Sequence, residues 1–106
     1  MNMNSYKCCT PGSPQLNNIT SLSKLLTFIG KESKLQILCL LKENERCVCE
    51  LLECCKMSQS LISHHLADLK KEGLVANRKE GRKSFYSLTK KGQEIIVKIF
   101  SIDLLI

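Results

Sequence analysis

The chain has 106 residues, 43% hydrophobic and 25% charged with two prolines. That is the make-up of one small globular domain; it excludes whole-chain disorder and collagen-like repeats, and leaves no room for a catalytic domain beside a regulatory one. Sixteen Lys and Arg against ten Asp and Glu give a formal charge of +6, and the excess falls between Lys56 and Lys91, where nine bases face only Asp68, Glu72 and Glu80. A block of this kind is an electrostatic footprint for nucleic acid before it is one for a membrane surface.

Residues 1–17, with Pro11, Gly12 and Pro14, read as a flexible arm bearing Cys8 and Cys9, ahead of one domain over residues 18–106. From Ile19 the spacing of Leu22, Leu25, Leu26 and Ile29 is helical, and Gly30 ends that helix. A second helix runs to about Lys42 with Leu35, Leu38 and Cys39 on one stripe and Leu41 beside it; Ser33 is its expected cap. Cys47 to Cys54 reads as a short third helix. Ser58 is a good N-cap for a fourth, with Leu61, Ile62, Leu66 and Leu69 turned inward and Gly73 stopping it. Two helices joined by a short turn suggest helix-turn-helix. Residues 74–79 and 82–88 flank Glu80-Gly81 as a basic hairpin. Thr89 caps a last helix whose Ile95, Ile96, Ile99, Phe100, Ile102, Leu104 and Leu105 exceed what one monomer-facing stripe needs, which points to a second subunit.

Seven cysteines form the second anomaly. The count is odd, and the first thirty residues lack the basic-then-apolar order of a secretory signal. No run approaches the roughly 18 apolar residues of a membrane span. A cytoplasmic chain with no membrane partner is expected, in a reducing compartment where clustered thiols are metal ligands or redox sensors rather than structural bridges. Thiolate is a soft donor, so hard ions are excluded.

The order of elements is that of a dimeric winged helix-turn-helix, mainly α with a two-stranded β wing. Cys47-Val48-Cys49-Glu50-Leu51, then Ser58-Gln59-Ser60-Leu61-Ile62-Ser63-His64-His65-Leu66, then Glu72-Gly73-Leu74-Val75 resemble the ArsR/SmtB family of metal-responsive repressors. Glu80-Gly81-Arg82-Lys83 before Phe85-Tyr86-Ser87-Leu88 is similar to that family's wing. The resemblance covers about residues 20–105. It departs from the family at Lys31-Glu32, where Asp-Pro often stands, and at Leu52, where the arsenical subtype can carry a third cysteine. After Thr89 there is no His to serve a last-helix zinc site.

The resemblance implies a homodimer that holds double-stranded operator DNA and is released by trivalent arsenic or antimony on thiolates. Cadmium, lead or zinc is the alternative, and a thiol-redox switch the rival from another class. Cys47 and Cys49, two apart, can share one ion only at a non-helical start, and a helix N-terminus also lowers thiol pKa. Family members that combine arm cysteines with this pair imply Cys8, Cys9, Cys47 and Cys49 as the ligands. Cys39 and Cys54 are expected in the core, Cys55 near the surface. Ser58, Gln59, Ser60, Ser63 and His64 are expected to face the major groove, with His65 packed inward. Arg78, Lys79, Arg82 and Lys83 are expected to grip phosphate. Lys90 and Lys91 are left as solvated charge. No Ser-His-Asp set, Gly-rich phosphate loop or His-Glu-x-x-His run suggests an enzyme.

Overall fold

A computed structural model describes residues 14–102, with side chains over residues 18–102. It divides the chain into two compact units, Met1–Lys31 and Glu32–Ile106. In the first, helix α1 spans Pro14–Ile29. Proline suits a first helical turn, where its missing N–H costs nothing, and residues 14–17 of the expected arm are therefore helical. Ile19, Leu22 and Leu26 recur at helical spacing on α1 and are exposed.

In the second unit the order is α2 (Glu32–Glu43), β1 (Arg46–Cys47), α3 (Val48–Cys54), α4 (Gln59–Lys71), β2 (Val75–Glu80), β3 (Lys83–Leu88) and α5 (Lys90–Phe100). The sheet is antiparallel with order β1-β3-β2, so the expected two-stranded wing has a third, short strand: Arg46 pairs with Tyr86 and Cys47 with Phe85. The hairpin register, from Val75 opposite Leu88 to Glu80 opposite Lys83, leaves Gly81 and Arg82 as a two-residue turn.

Ile37, Leu38 and Leu41 of α2, Leu51 of α3, Ile62, Leu66 and Leu69 of α4, Leu74, Val75 and Leu88 of the sheet, and Ile96 of α5 form the core. The buried stripe of α2 thus runs through Lys34, Ile37, Leu38 and Leu41, which rotates Cys39 out to an exposed position. On α4, Leu61 is exposed, and His65 takes the inward place expected of it. Ser33 lies inside α2 rather than capping it; its hydroxyl meets His65 Nε2 at 2.8 Å and ties α2 to α4.

Helix ends follow local chemistry. Ser58 Oγ accepts from Leu61 N–H at 3.1 Å and Thr89 Oγ1 from Gly92 N–H at 3.0 Å. Gly73, at φ +77°, closes α4: its N–H donates to Lys70 C=O and Leu74 N–H to Leu69 C=O, both at 3.0 Å. Gly92 has a different reason to be glycine, since a Cβ there would run into the Leu74 carbonyl as α5 crosses the start of the wing. No helix among the described residues is long and apolar enough to cross a membrane.

Candidate functional site

Cys47 is both the last residue of β1 and the N-cap of α3, in extended backbone at φ −85°, ψ 166°. The expected start of α3 at Cys47 therefore moves on by one residue. Because Cys47 is not helical, its side chain is free of the divergence that a spacing of two imposes within a helix. The sulfurs of Cys47 and Cys49 meet, joined as a disulfide. Cys47 is buried and Cys49 exposed. Glu50 Oε1 accepts from Cys47 N–H at 3.2 Å, and Arg46 Nε donates to Leu40 C=O at 3.2 Å, so β1 is held from both sides.

A groove of about 340 Å³ is lined by Cys47, Val48, Cys49, Gln59, Arg82, Lys83 and Ser84. It joins the thiol pair to the first residue of α4 and the tip of the wing. Gln59, Ser60, Ser63 and His64 are all exposed on α4. Ser58 is exposed too, its oxygen engaged in the cap. His64 Nε2 lies 3.3 Å from Asp68 Oδ2, and the buried Lys34 reaches the same carboxylate oxygen at 3.9 Å.

The wing bases divide. Lys79, Arg82 and Lys83 are exposed at the far end of the hairpin. Arg78 is instead clamped: Nε and Nη2 donate to the two Glu45 oxygens at 2.9 and 2.8 Å, Nη1 donates to Glu80 at 2.7 Å, and its guanidinium lies 4.8 Å from the Phe85 ring centre. Hydrogen bonds to Glu45 and then Glu80 push its pKa further up, while Arg78 holds the Glu80 carboxyl below the usual glutamate range. This clamp, together with β1, is what sequence reasoning missed. A two-residue strand is too short for a period to register, and Glu45 lies 33 positions from Arg78. Lys91, expected as solvated charge, is exposed and donates to the Glu72 carbonyl at 3.2 Å.

The remaining cysteines reverse the expectation. Cys39 and Cys54 are exposed and Cys55 is buried, because α3 ends at Cys54 and Cys55 turns inward as its C-cap, with its N–H on the Leu51 carbonyl at 2.8 Å. Cys8 and Cys9 lie outside the described residues. Among the described residues no three Cys, His, Asp or Glu are grouped to hold a metal ion.

Residues 31–77 match the family model described as bacterial regulatory protein, arsR family. The chain is 41% identical over 75 residues to the transcriptional activator HlyU of Vibrio cholerae, covering 71% of this chain and 69% of that protein. The solved structure of HlyU from Vibrio cholerae N16961 superposes with a TM-score of 0.70 at 38% identity, over 80% of this chain and 94% of that one. An arsenical resistance operon repressor of Staphylococcus aureus is 43% identical over 67 residues, 63% of this chain and 64% of that protein. A transcriptional repressor SmtB homolog of Synechocystis sp. is 32% identical over 78 residues, 74% of this chain and 59% of that protein.

Proposed function

The chain belongs to the arsR family of bacterial regulatory proteins, and from that premise we propose that it is a cytoplasmic, homodimeric repressor released from operator DNA by trivalent arsenic or antimony bound to cysteine thiolates. The family and the winged helix-turn-helix fold are those of DNA-binding transcriptional regulators, not of enzymes. The observation that carries the inducer reading is the convergence of Cys47 and Cys49 in the groove that also holds Gln59, Arg82 and Lys83.

Two soft donors meeting at the start of α3 fit a soft ion once reduced to thiolates. They supply two of the sulfurs such an ion needs, and Cys8 and Cys9 of the arm are the proposed remainder. Cys47 is hydrogen-bonded through β1 to Phe85 on the wing's middle strand, and α3 packs on α4. A pull on the Cys47 sulfur is therefore a pull on both DNA-facing elements. An inducer shifts the operator equilibrium only by its unequal affinity for the two states, and this linkage supplies the inequality.

Gln59, Ser60, Ser63 and His64 would read base edges in the major groove, with Ser58 fixing the helix start. Lys79, Arg82 and Lys83 would contact phosphate, and Arg78 would serve them by holding the wing to Glu45. Exposed Ile19, Leu22 and Leu26 on α1, and exposed Val97 and Ile102 on α5, are apolar surface of the kind a partner subunit covers.

The test is to titrate reduced protein bound to its own promoter DNA with arsenite, antimonite, cadmium, lead and zinc while following fluorescence anisotropy. Release by arsenite or antimonite at the lowest concentrations is expected, and retention of DNA at every ion concentration would overturn the reading. The Cys47–Cys49 disulfide favours a second reading, a redox-switched repressor. In that case a hydroperoxide alone alters DNA affinity and a dithiol alone restores it.

A further inference from the structure

A lysine is seldom taken out of water, yet Lys34, on the first turn of α2, is 4% exposed. A buried charge calls for an opposite one, and Lys34 Nζ lies 3.9 Å from Oδ2 of the half-buried Asp68 on α4. The same oxygen lies 3.3 Å from Nε2 of His64, one helical turn back. The residue before Lys34 makes a second tie, Ser33 Oγ to His65 Nε2 at 2.8 Å. Two consecutive residues of α2 thus hold α4 at His65 and Asp68, about one turn apart. His64 stands beside both ties with its ring exposed, and Ser60, also exposed, lies one turn before it on the same helix face.

A carboxylate next to a DNA-reading side chain would repel the phosphates of the duplex. The lysine behind Asp68 offsets that charge, which leaves the carboxylate to act on the ring. With a carboxylate oxygen 3.3 Å away, the imidazole proton is favoured on Nε2, since a bare nitrogen there would set two lone pairs against each other. A neutral ring with its proton on Nε2 has a bare Nδ1, which accepts a hydrogen bond and cannot donate one. The donors on base edges in the major groove are the amino groups of adenine and cytosine. We propose that Asp68 is a positioning residue: backed by Lys34, it fixes the orientation and tautomer of His64 so that Nδ1 reads an amino group of adenine or cytosine at one base pair beneath α4. The inference rests on the reading of α4 as the helix that enters the major groove.

The experiment presents the full reduced chain, at mildly alkaline pH, with a duplex library of random sequence and sequences the bound fraction. The native chain should prefer adenine or cytosine over guanine or thymine at one position of one strand, and the base recovered tells which amino group is read. His64→Ala and Asp68→Asn should each lower that preference by about 2–12-fold, the worth of one neutral hydrogen bond, and leave the preferences elsewhere in place. Combined, they should lower it no further than His64→Ala alone. A purely structural Asp68 would weaken binding to every sequence and leave each preference as it was, which overturns the proposal. A preference for guanine or thymine at the position that depends on His64 overturns it too. Gln59→Ala separates the proposal from the reading beneath it. If Gln59→Ala relaxes a preference and the other two relax none, α4 reads DNA without this network; if none of the three relaxes any, α4 is not the reading helix. Both results overturn the proposal, and only the second overturns the reading. A further measurement needs no variant: two-bond nitrogen–proton NMR correlations of the native chain at the same pH should place the His64 proton on Nε2 alone, and a proton on Nδ1 overturns the assignment.

Discussion

The two ends of α3 carry the same residue type in different surroundings. At its N-terminus Cys47 is locked into a strand, its N–H bonded to Glu50 and its sulfur in a groove shared with Arg82 and Lys83. At its C-terminus Cys54 stands in water beside the buried Cys55, facing α2 across a groove without charged residues. The helix between them is seven residues, about 10 Å. Over that distance a thiol passes from a site joined to the wing and α4 to one that opens on α2. What a cysteine can do is thus set by what its backbone is bonded to and which charges surround it.

The largest expected effect strikes both ends at once. Leu51 is fully buried at the centre of α3, and Leu51→Ala should cost about 2–5 kcal/mol of stability, read by urea denaturation. A loss well under that range would mean that α3 does not join its two ends rigidly. Next comes Cys47→Ser. Arsenite should weaken operator binding of the native chain by about 5–150-fold, the usual size of a coupling between sites, and leave the variant's binding unmoved. Cys54→Ser should release DNA as the native chain does, and a reversed pattern in anisotropy titrations would exchange the roles of the two ends.

A smaller effect separates the wing's bases. Arg82→Ala should flatten the salt dependence of DNA affinity by about 0.9 in log–log slope, one phosphate contact. Arg78→Ala should leave the slope unchanged, because Glu45 and Glu80 already neutralise that guanidinium; its cost should appear as a looser wing and weaker binding at every salt concentration. The smallest effect is on pH. Arg78 lowers the Glu80 pKa by hydrogen bond and by charge, so this contact stabilises the fold above the unfolded glutamate value of about 4.3 and is lost as pH falls through the lower folded value. Carbon-detected NMR titration of Glu80 should show the depressed midpoint, and Arg78→Ala should restore the ordinary one.

Helix positions, the hairpin and the basic block were legible from the amino acids alone, because each rests on local physics. Ser58 and Thr89 carry side-chain oxygens that cap a helix wherever they sit, Gly73 relieves a left-handed turn, and apolar residues at helical spacing bury one face. The non-helical start that lets Cys47 and Cys49 meet was legible for the same reason; that they meet as a disulfide, where free thiols were expected, was not. Which face is buried was not. Rotating α2 by one position exposes Cys39, and ending α3 at Cys54 turns Cys55 inward, and both choices depend on partners far along the chain. Only tertiary structure decided the third strand, the Arg78–Glu45 clamp, the Ser33–His65 bond and the closeness of Gly92 to the Leu74 carbonyl. Each joins residues well separated in sequence, and a contact of that kind leaves no period or spacing behind, since it is selected by the packing of elements and not by the conformational preference of any residue in it.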